Sequence, residues 1–260
     1  QTYRPYHFVV SSGHELHVIV TSGNASEFPY GDVVHCIVRP DLTVVRSNGT
    51  PIGRVGSAPA YVTDCTRIWS GYDRGLNAVG WQSDVRFIDG EPTAILSVRD
   101  TVGNPDLLPK GGNVSHRYIW ARRQPNGTWH TEHLAWAGSE LYGAQPDYTG
   151  LGAIDPADPN RVVISTNAHP ETQHPLASTV DGRPHWELWD GTRSSDGAWS
   201  WSPITENSAA DNLRPHLATG AGFTALTAMV GSYAHYNSAT TSNVVRVLRS
   251  PTTGVPATAG

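Results

Sequence analysis

Eighteen basic residues, twelve histidines and two cysteines are the groups of this 260-residue chain best suited to chemistry. Lys110 is the only lysine, so nearly every fixed positive charge is an arginine. A guanidinium makes planar forked contacts with carboxylates, which suits an anionic ligand; a compositional bias of the source is the plain alternative. The run His169-Pro170-Glu171-Thr172-Gln173-His174-Pro175 gathers imidazole and carboxylate groups that can ligate a metal, with Asp155 as a further oxygen donor. Its spacing is no recognised zinc pattern, and the flanking prolines describe an irregular surface loop. No metal site is assigned, and a structural metal ion stays open. Cys36 and Cys65 would form one disulfide in an oxidising compartment. Four Asn-x-Ser/Thr acceptors begin at Asn24, Asn48, Asn113 and Asn126, two of them in Asn-Gly turns where a glycan would be exposed. The chain starts at Gln1 without a leader, and with the sequons and cysteines this gives an expectation of a secreted, extracellular glycoprotein. Nine tryptophans offer stacking platforms for sugars or packing between layers.

The elements that must position these groups are strands. Short β-branched and aromatic runs such as His14–Val20, Asp32–Arg39, Asp84–Ile88, Thr93–Val98, His116–Ala121, Arg161–Ser165 and Asn243–Leu248 are bounded by turn residues. No segment carries a sustained 3.6-residue apolar stripe with caps, so no long helix is expected. The strands fall into similar groups at about 1–52, 76–137, 147–206 and 211–250, several closing on Asn-Gly or Asp-Gly hairpins. Repeated four-stranded units predict an all-β β-propeller of four-stranded antiparallel blades, four or, if 53–75 contributes, five in number, spanning residues 1–250. A β-sandwich is the alternative, which the repeated closing turns disfavour. Residues 251–260 form a Thr/Pro-rich tail.

Asp147-Tyr148-Thr149-Gly150-Leu151-Gly152-Ala153-Ile154-Asp155-Pro156 and the segment to Thr166 resemble the BNR-repeat family of β-propellers. So do the degenerate Asp-box Ser195-Asp196-Gly197-Ala198-Trp199-Ser200-Trp201, the stretch Asn207–Pro215, and Gly231-Ser232-Tyr233. Within that family the chain is similar to ulvan lyases and rhamnose–glucuronate lyases, with Arg4-Pro5-Tyr6 and Val34-His35 extending the likeness. The distinctive part is 147–215. Members are usually longer and close a ring of seven blades, so the resemblance implies either missing blades, supplied by another chain or by further copies, or a shortened or open propeller. Where the pattern places a His-Pro pair after the Thr-x-Gly turn, this chain has Asn24-Ala25.

The resemblance implies β-elimination at a uronate, in which a cation neutralises the sugar carboxylate, a His or Tyr takes the C5 proton, and a Tyr or His protonates the leaving oxygen. His35, Arg122 and Tyr148 are the catalytic candidates that follow; Arg123, Arg214 and Tyr233 are the substrate-binding ones. No cofactor is obligatory for this chemistry. Each candidate has a structural alternative: a core histidine, a salt bridge, a packing ring, or a contact between blades. The expected partner is an acidic, uronate-containing polysaccharide, and the alternative function is a non-catalytic glycoprotein that binds glycans or assembles into rings or filaments. Sialidase-type hydrolysis needs an arginine cluster with a Tyr/Glu pair, and none is assignable. A net charge of −5 with no Lys/Arg cluster excludes a nucleic-acid partner, and the absence of long apolar runs excludes a membrane-spanning helix.

Overall fold

A computed structural model describes residues 5–23, 30–74, 78–100, 115–141, 147–220, 223–233 and 240–248. Asn24, Asn113 and the 251–260 tail lie outside them. The described chain is nearly all β: four mainly antiparallel sheets follow one another along the sequence, and no described helix is long and apolar enough to cross a membrane.

The first sheet runs β1 (His7–Ser11), β2 (Leu16–Thr21), β4 (Val33–Val38), β5 (Thr43–Arg46) and β6 (Pro51–Arg54). β7 (Thr66–Trp69) pairs with β4 alongside β5. The strands of the 53–74 region therefore complete this sheet instead of starting a fifth one. The second sheet is β8 (Ala78–Ile88), β9 (Glu91–Asp100), β10 (Ser115–Arg123) and β11 (Trp129–Gly138), with β3 (Tyr30–Gly31) added in parallel beside β8. The third is β12 (Gly152–Asp155), β13 (Asp158–Thr166), β14 (Glu187–Arg193) and β15 (Trp199–Pro203). The fourth is β16 (Asp211–Gly220), β17 (Phe223–Ser232) and β18 (Thr240–Leu248).

β1 packs on β8, β8 on β12, and β12 on β16, so the leading strands share one line and the sheets radiate from it as propeller blades. Apolar clusters fill the gaps. Ile19, Val33, Leu96 and Ile119 lie between the first two sheets, Ile95, Tyr118, Ile154 and Ile164 between the next two, and Leu188, Leu217 and Leu226 between the last two.

The outer hairpins of the second and third sheets tie each to its predecessor. Asp89 (φ 50°) and Gly90 (φ 79°) make a tight two-residue turn, while Asn126-Gly127 and Asp196-Gly197 close longer ones. Trp129 Nε1 donates to Ser47 Oγ at 3.1 Å, and Arg123 reaches the Ser47 carbonyl and the Glu91 carboxylate. One sheet further, Trp199 Nε1 donates to Glu132 Oε1 at 2.8 Å, and Arg193 grips the same carboxylate through two bonds of 2.7 and 2.9 Å. Both staples share the spacing Arg-x-x-Asn/Asp-Gly-x-Trp.

Cys36 in β4 and Cys65 before β7 are free thiols, with their side chains in hydrogen-bond contact. The loop from Arg54 to Val62 arches over the outward face of the first sheet and encloses with it a cavity of about 560 Å³, walled by Val18, Val20, Val38, Val44 and both cysteines.

Candidate functional site

One end of the shared line collects a side chain from every sheet. Tyr6, entering β1, lies 4.4 Å from the Trp81 ring of β8, and Trp81 lies 5.7 Å from Tyr148, which precedes β12. Arg214, in β16, sits over Tyr148 at 6.0 Å and over Tyr233, at the end of β17, at 5.0 Å. Its Nη2 donates to the Tyr233 hydroxyl at 3.2 Å.

Local sequence explains why Arg214 projects there. The β16–β17 register slips between Leu213 and His216, Arg214 takes φ 51°, and Pro215 brings no N–H to the ladder. The Arg214 N–H bonds the Gly150 carbonyl instead, which ties the bulge to the Asp147–Gly150 turn carrying Tyr148. The Arg214 Nε–H is buried and meets no acceptor, and no carboxylate pairs with the guanidinium among the described residues. Beneath the cluster, Arg99 faces Asp147 at 2.8 Å, both enclosed. Burial pushes the Asp147 carboxyl upward, and Arg99 offsets part of that. Burial, then the neighbouring Tyr6, also raises the Tyr148 phenol, while Arg214 pulls it back. Tyr148 therefore stays protonated at neutral pH.

Tyr148, Arg214 and Tyr233 are thus brought together. His35, Arg122 and Arg123 are not. Arg122 pairs across to Thr93, four residues along β9 from Ser97, the partner of Trp81; at ~3.3 Å per residue that is about 13 Å down the sheet. There Arg122 donates to Thr93 Oγ1 and the Ile88 carbonyl, and Arg123 forms its staple to Ser47 and Glu91. His35 is fully enclosed between the first two sheets, its Nδ1 2.7 Å from Ser47 Oγ and its Nε2 3.2 Å from His17 Nδ1. Burial, then His17 and Arg123, hold its pKa well below the usual imidazole value. The site is accordingly drawn around Arg214 and Tyr148, with His35 and the 122–123 pair serving the interface between sheets.

Sequence reasoning passed over Tyr6 and Trp81. Tyr6 stood within the Arg-Pro-Tyr segment of the resemblance, and Trp81 was one of nine tryptophans with nothing local to mark it. In the His169–Pro175 loop, His169 Nδ1 accepts the Glu171 N–H and its ring meets Trp189 at 5.3 Å; among the described residues no group of three or more His, Cys, Asp or Glu is placed to hold a metal. Asn48 and Asn126 are exposed in their turns.

No protein-family model matches the chain, and no curated protein matches it. Among solved structures it is similar to a mutant β-fructofuranosidase of Microbacterium saccharophilum K-1, at 12% identity and a TM-score of 0.41, over 94% of this chain and 56% of that one. It is also similar to a mutant α-L-arabinanase of Cellvibrio cellulosa, at 12% identity and a TM-score of 0.38, over 97% of this chain and 72% of that one. The chain thus spans little more than half the length of the first of these enzymes.

Proposed function

We propose that the axial cluster binds a uronate unit of an acidic polysaccharide and promotes β-elimination there, as a secreted lyase-like protein would. The observation that carries this reading is Arg214: a guanidinium without a carboxylate partner, held at a left-handed backbone position between two phenol rings. Its charge would neutralise the sugar carboxylate and so acidify the C5–H bond. Tyr148, as phenolate, would take the C5 proton while C4=C5 forms and the C4–O bond breaks. The same phenol then returns that proton to the departing oxygen, so one residue balances the step. Tyr6 and Trp81 provide ring faces for the neighbouring sugars.

Incubation with ulvan or another glucuronate-rich polymer tests the chemistry, because the unsaturated product absorbs near ~235 nm. Growth of that absorbance in the native protein and its loss in Tyr148→Phe support the reading. The enclosure of His35 favours a second one, a glycan-binding propeller without catalysis. Saturable binding of the polymer with no new absorbance on any uronate glycan would select it. The exposed sequons at Asn48 and Asn126 fit an extracellular glycoprotein, and a mass loss on deglycosylation of the natively expressed protein would test that placement.

A further inference from the structure

A second cavity, of about 260 Å³, opens on the third sheet, between the 167–185 loop and the segment after β15. His169, Leu176, His185, Glu187, Trp189 and Glu206 line it. Trp186, between the lining residues His185 and Glu187 in sequence, links it to the first site. The Asn212 N–H bonds the Trp186 carbonyl, and Trp186 packs with Leu213, Tyr233 and Tyr148.

The polar groups of the cavity are preorganised. His185 is clamped at both ring nitrogens, Nε2 to Asp181 at 2.9 Å and Nδ1 to Asp211 at 2.9 Å. Burial works against its charge, but these two bonds prevail and raise its pKa, so the ring serves as an imidazolium with no lone pair to offer a metal. Glu187 is buried and accepts from the Ser208 N–H and hydroxyl at 2.7 Å each, which fixes its position. Glu206 is exposed at the rim. Glu187 and Glu206 line the space, and Asp181 and Asp211 stand behind the His185 ring with Arg183 beside Asp181, so negative charge exceeds positive, which repels a uronate or a sulfate and attracts an ammonium. Leu176 adds an apolar wall, and Trp189, 8% exposed, lines the cavity with an indole N–H that has no acceptor among the described residues.

We propose that this cavity is a sugar-binding subsite for an amine-bearing hexose, with Glu206 and the Glu187 side receiving the ammonium and Trp189 contacting the ring. It goes beyond the axial reading and does not depend on elimination chemistry. An anion-selective site and a cation-selective one linked through Trp186 suit a glycan carrying both a uronate and an amino sugar.

Calorimetric titration of the intact protein with glucosamine, glucose and glucuronate tests it. Glucosamine should bind about fivefold more tightly than glucose, and glucuronate should not bind there. Glu206→Gln should erase the preference for glucosamine. Ala177→Trp, at an exposed lining position, should abolish binding with the circular dichroism of the sheets unchanged. Arg214→Ala should leave glucosamine binding intact, which separates failure here from failure of the axial site. The absence of saturable glucosamine binding, equal binding of glucuronate to the Arg214→Ala protein, or full glucosamine binding to the Ala177→Trp protein would overturn the proposal.

Discussion

A side chain other than glycine at φ 51° in the leading strand of a sheet costs on the order of 1 kcal/mol or more, and at Arg214 a buried N–H without an acceptor adds to that cost. Strain of this kind persists where the surroundings over-determine it, and here the Gly150 carbonyl, the Tyr233 hydroxyl and two ring faces do so. Arg214→Ala should cut kcat/KM on uronate polymers by about 10²-fold, and Arg214→Lys should recover little because an ammonium lacks the planar fork. Tyr148→Phe should lower kcat with KM nearly unchanged, since the ring stays and only the proton carrier is lost. The reactive form is the phenolate, and the phenol is raised above its usual value near ~10. The rate should therefore climb with pH through the alkaline range instead of peaking near neutrality. Tyr148, Arg214 and Tyr233 were legible as residues in the sequence, but their meeting point was not. It depends on a bulge at Leu213–His216 and on the stacking of four sheets, neither of which leaves a local pattern. His35 misled for the same reason: a histidine in an apolar run looks alike whether its strand lines an axis or a sheet interface.

Turn chemistry, being local, was the most legible layer at the scale of elements. Asn-Gly and Asp-Gly pairs marked the hairpins, and the strand groups they delimited became the four sheets. The short strands of 53–75 gave no such marker, and β7 found its partner in β4 across a long loop. The turns also bear load unequally. A Cβ at Gly127 (φ 83°) would lie 2.5 Å from the Asn48 backbone, whereas one at Gly90 (φ 79°) meets nothing within 4 Å. Both positions penalise alanine for its backbone, by about 1 kcal/mol. Gly127→Ala must in addition push apart the first two sheets. Chemical denaturation should show Gly90→Ala destabilised by about 1 kcal/mol and Gly127→Ala by at least ~2 kcal/mol more. Glu132→Ala removes the acceptor of Arg193 and Trp199 together, for a loss of about 2 kcal/mol, or roughly 4–8 °C in Tm at this chain length. Equal losses at Gly90 and Gly127 would show that the hairpins do not join the sheets.

For the whole molecule, the material between the sheets decides when they separate. His35 and His17 sit between the first two sheets with Arg123, Glu91 and Glu15 facing them, and both have pKa values lowered mainly by burial. Burial likewise holds His133, in the second sheet, down to about 4. The unfolded chain, with imidazoles near ~6.5, then binds more protons than the folded one. Stability should fall as pH drops from about 6.5 towards 4, and His35→Gln should flatten that slope in urea titrations, whatever it does to the midpoint at pH 7. The cysteines act on the same layer from its other side. A hydrogen bond donated by Cys36 lowers the Cys65 thiol, and the loss of that bond on ionisation, with burial, pushes Cys36 up, so Cys65 is the nucleophile of the pair. With glutathione disulfide as oxidant, the Cys65 thiolate takes one glutathione sulfur and releases the other as thiolate. Cys36, on losing its proton, then displaces the bound glutathione and closes the bridge. The closed loop of about 30 residues restricts the unfolded chain by ~3–4 kcal/mol, so Tm should rise by about 10 °C and the mass should fall by two hydrogens. Because the bridge anchors the 54–65 loop over the outward face of the first sheet, the gain should appear as slower hydrogen exchange in β2, β4 and β5, with the fourth sheet unchanged. Two alkylatable thiols surviving the oxidant, or a Tm that does not move, would show that the loop is not held by this pair.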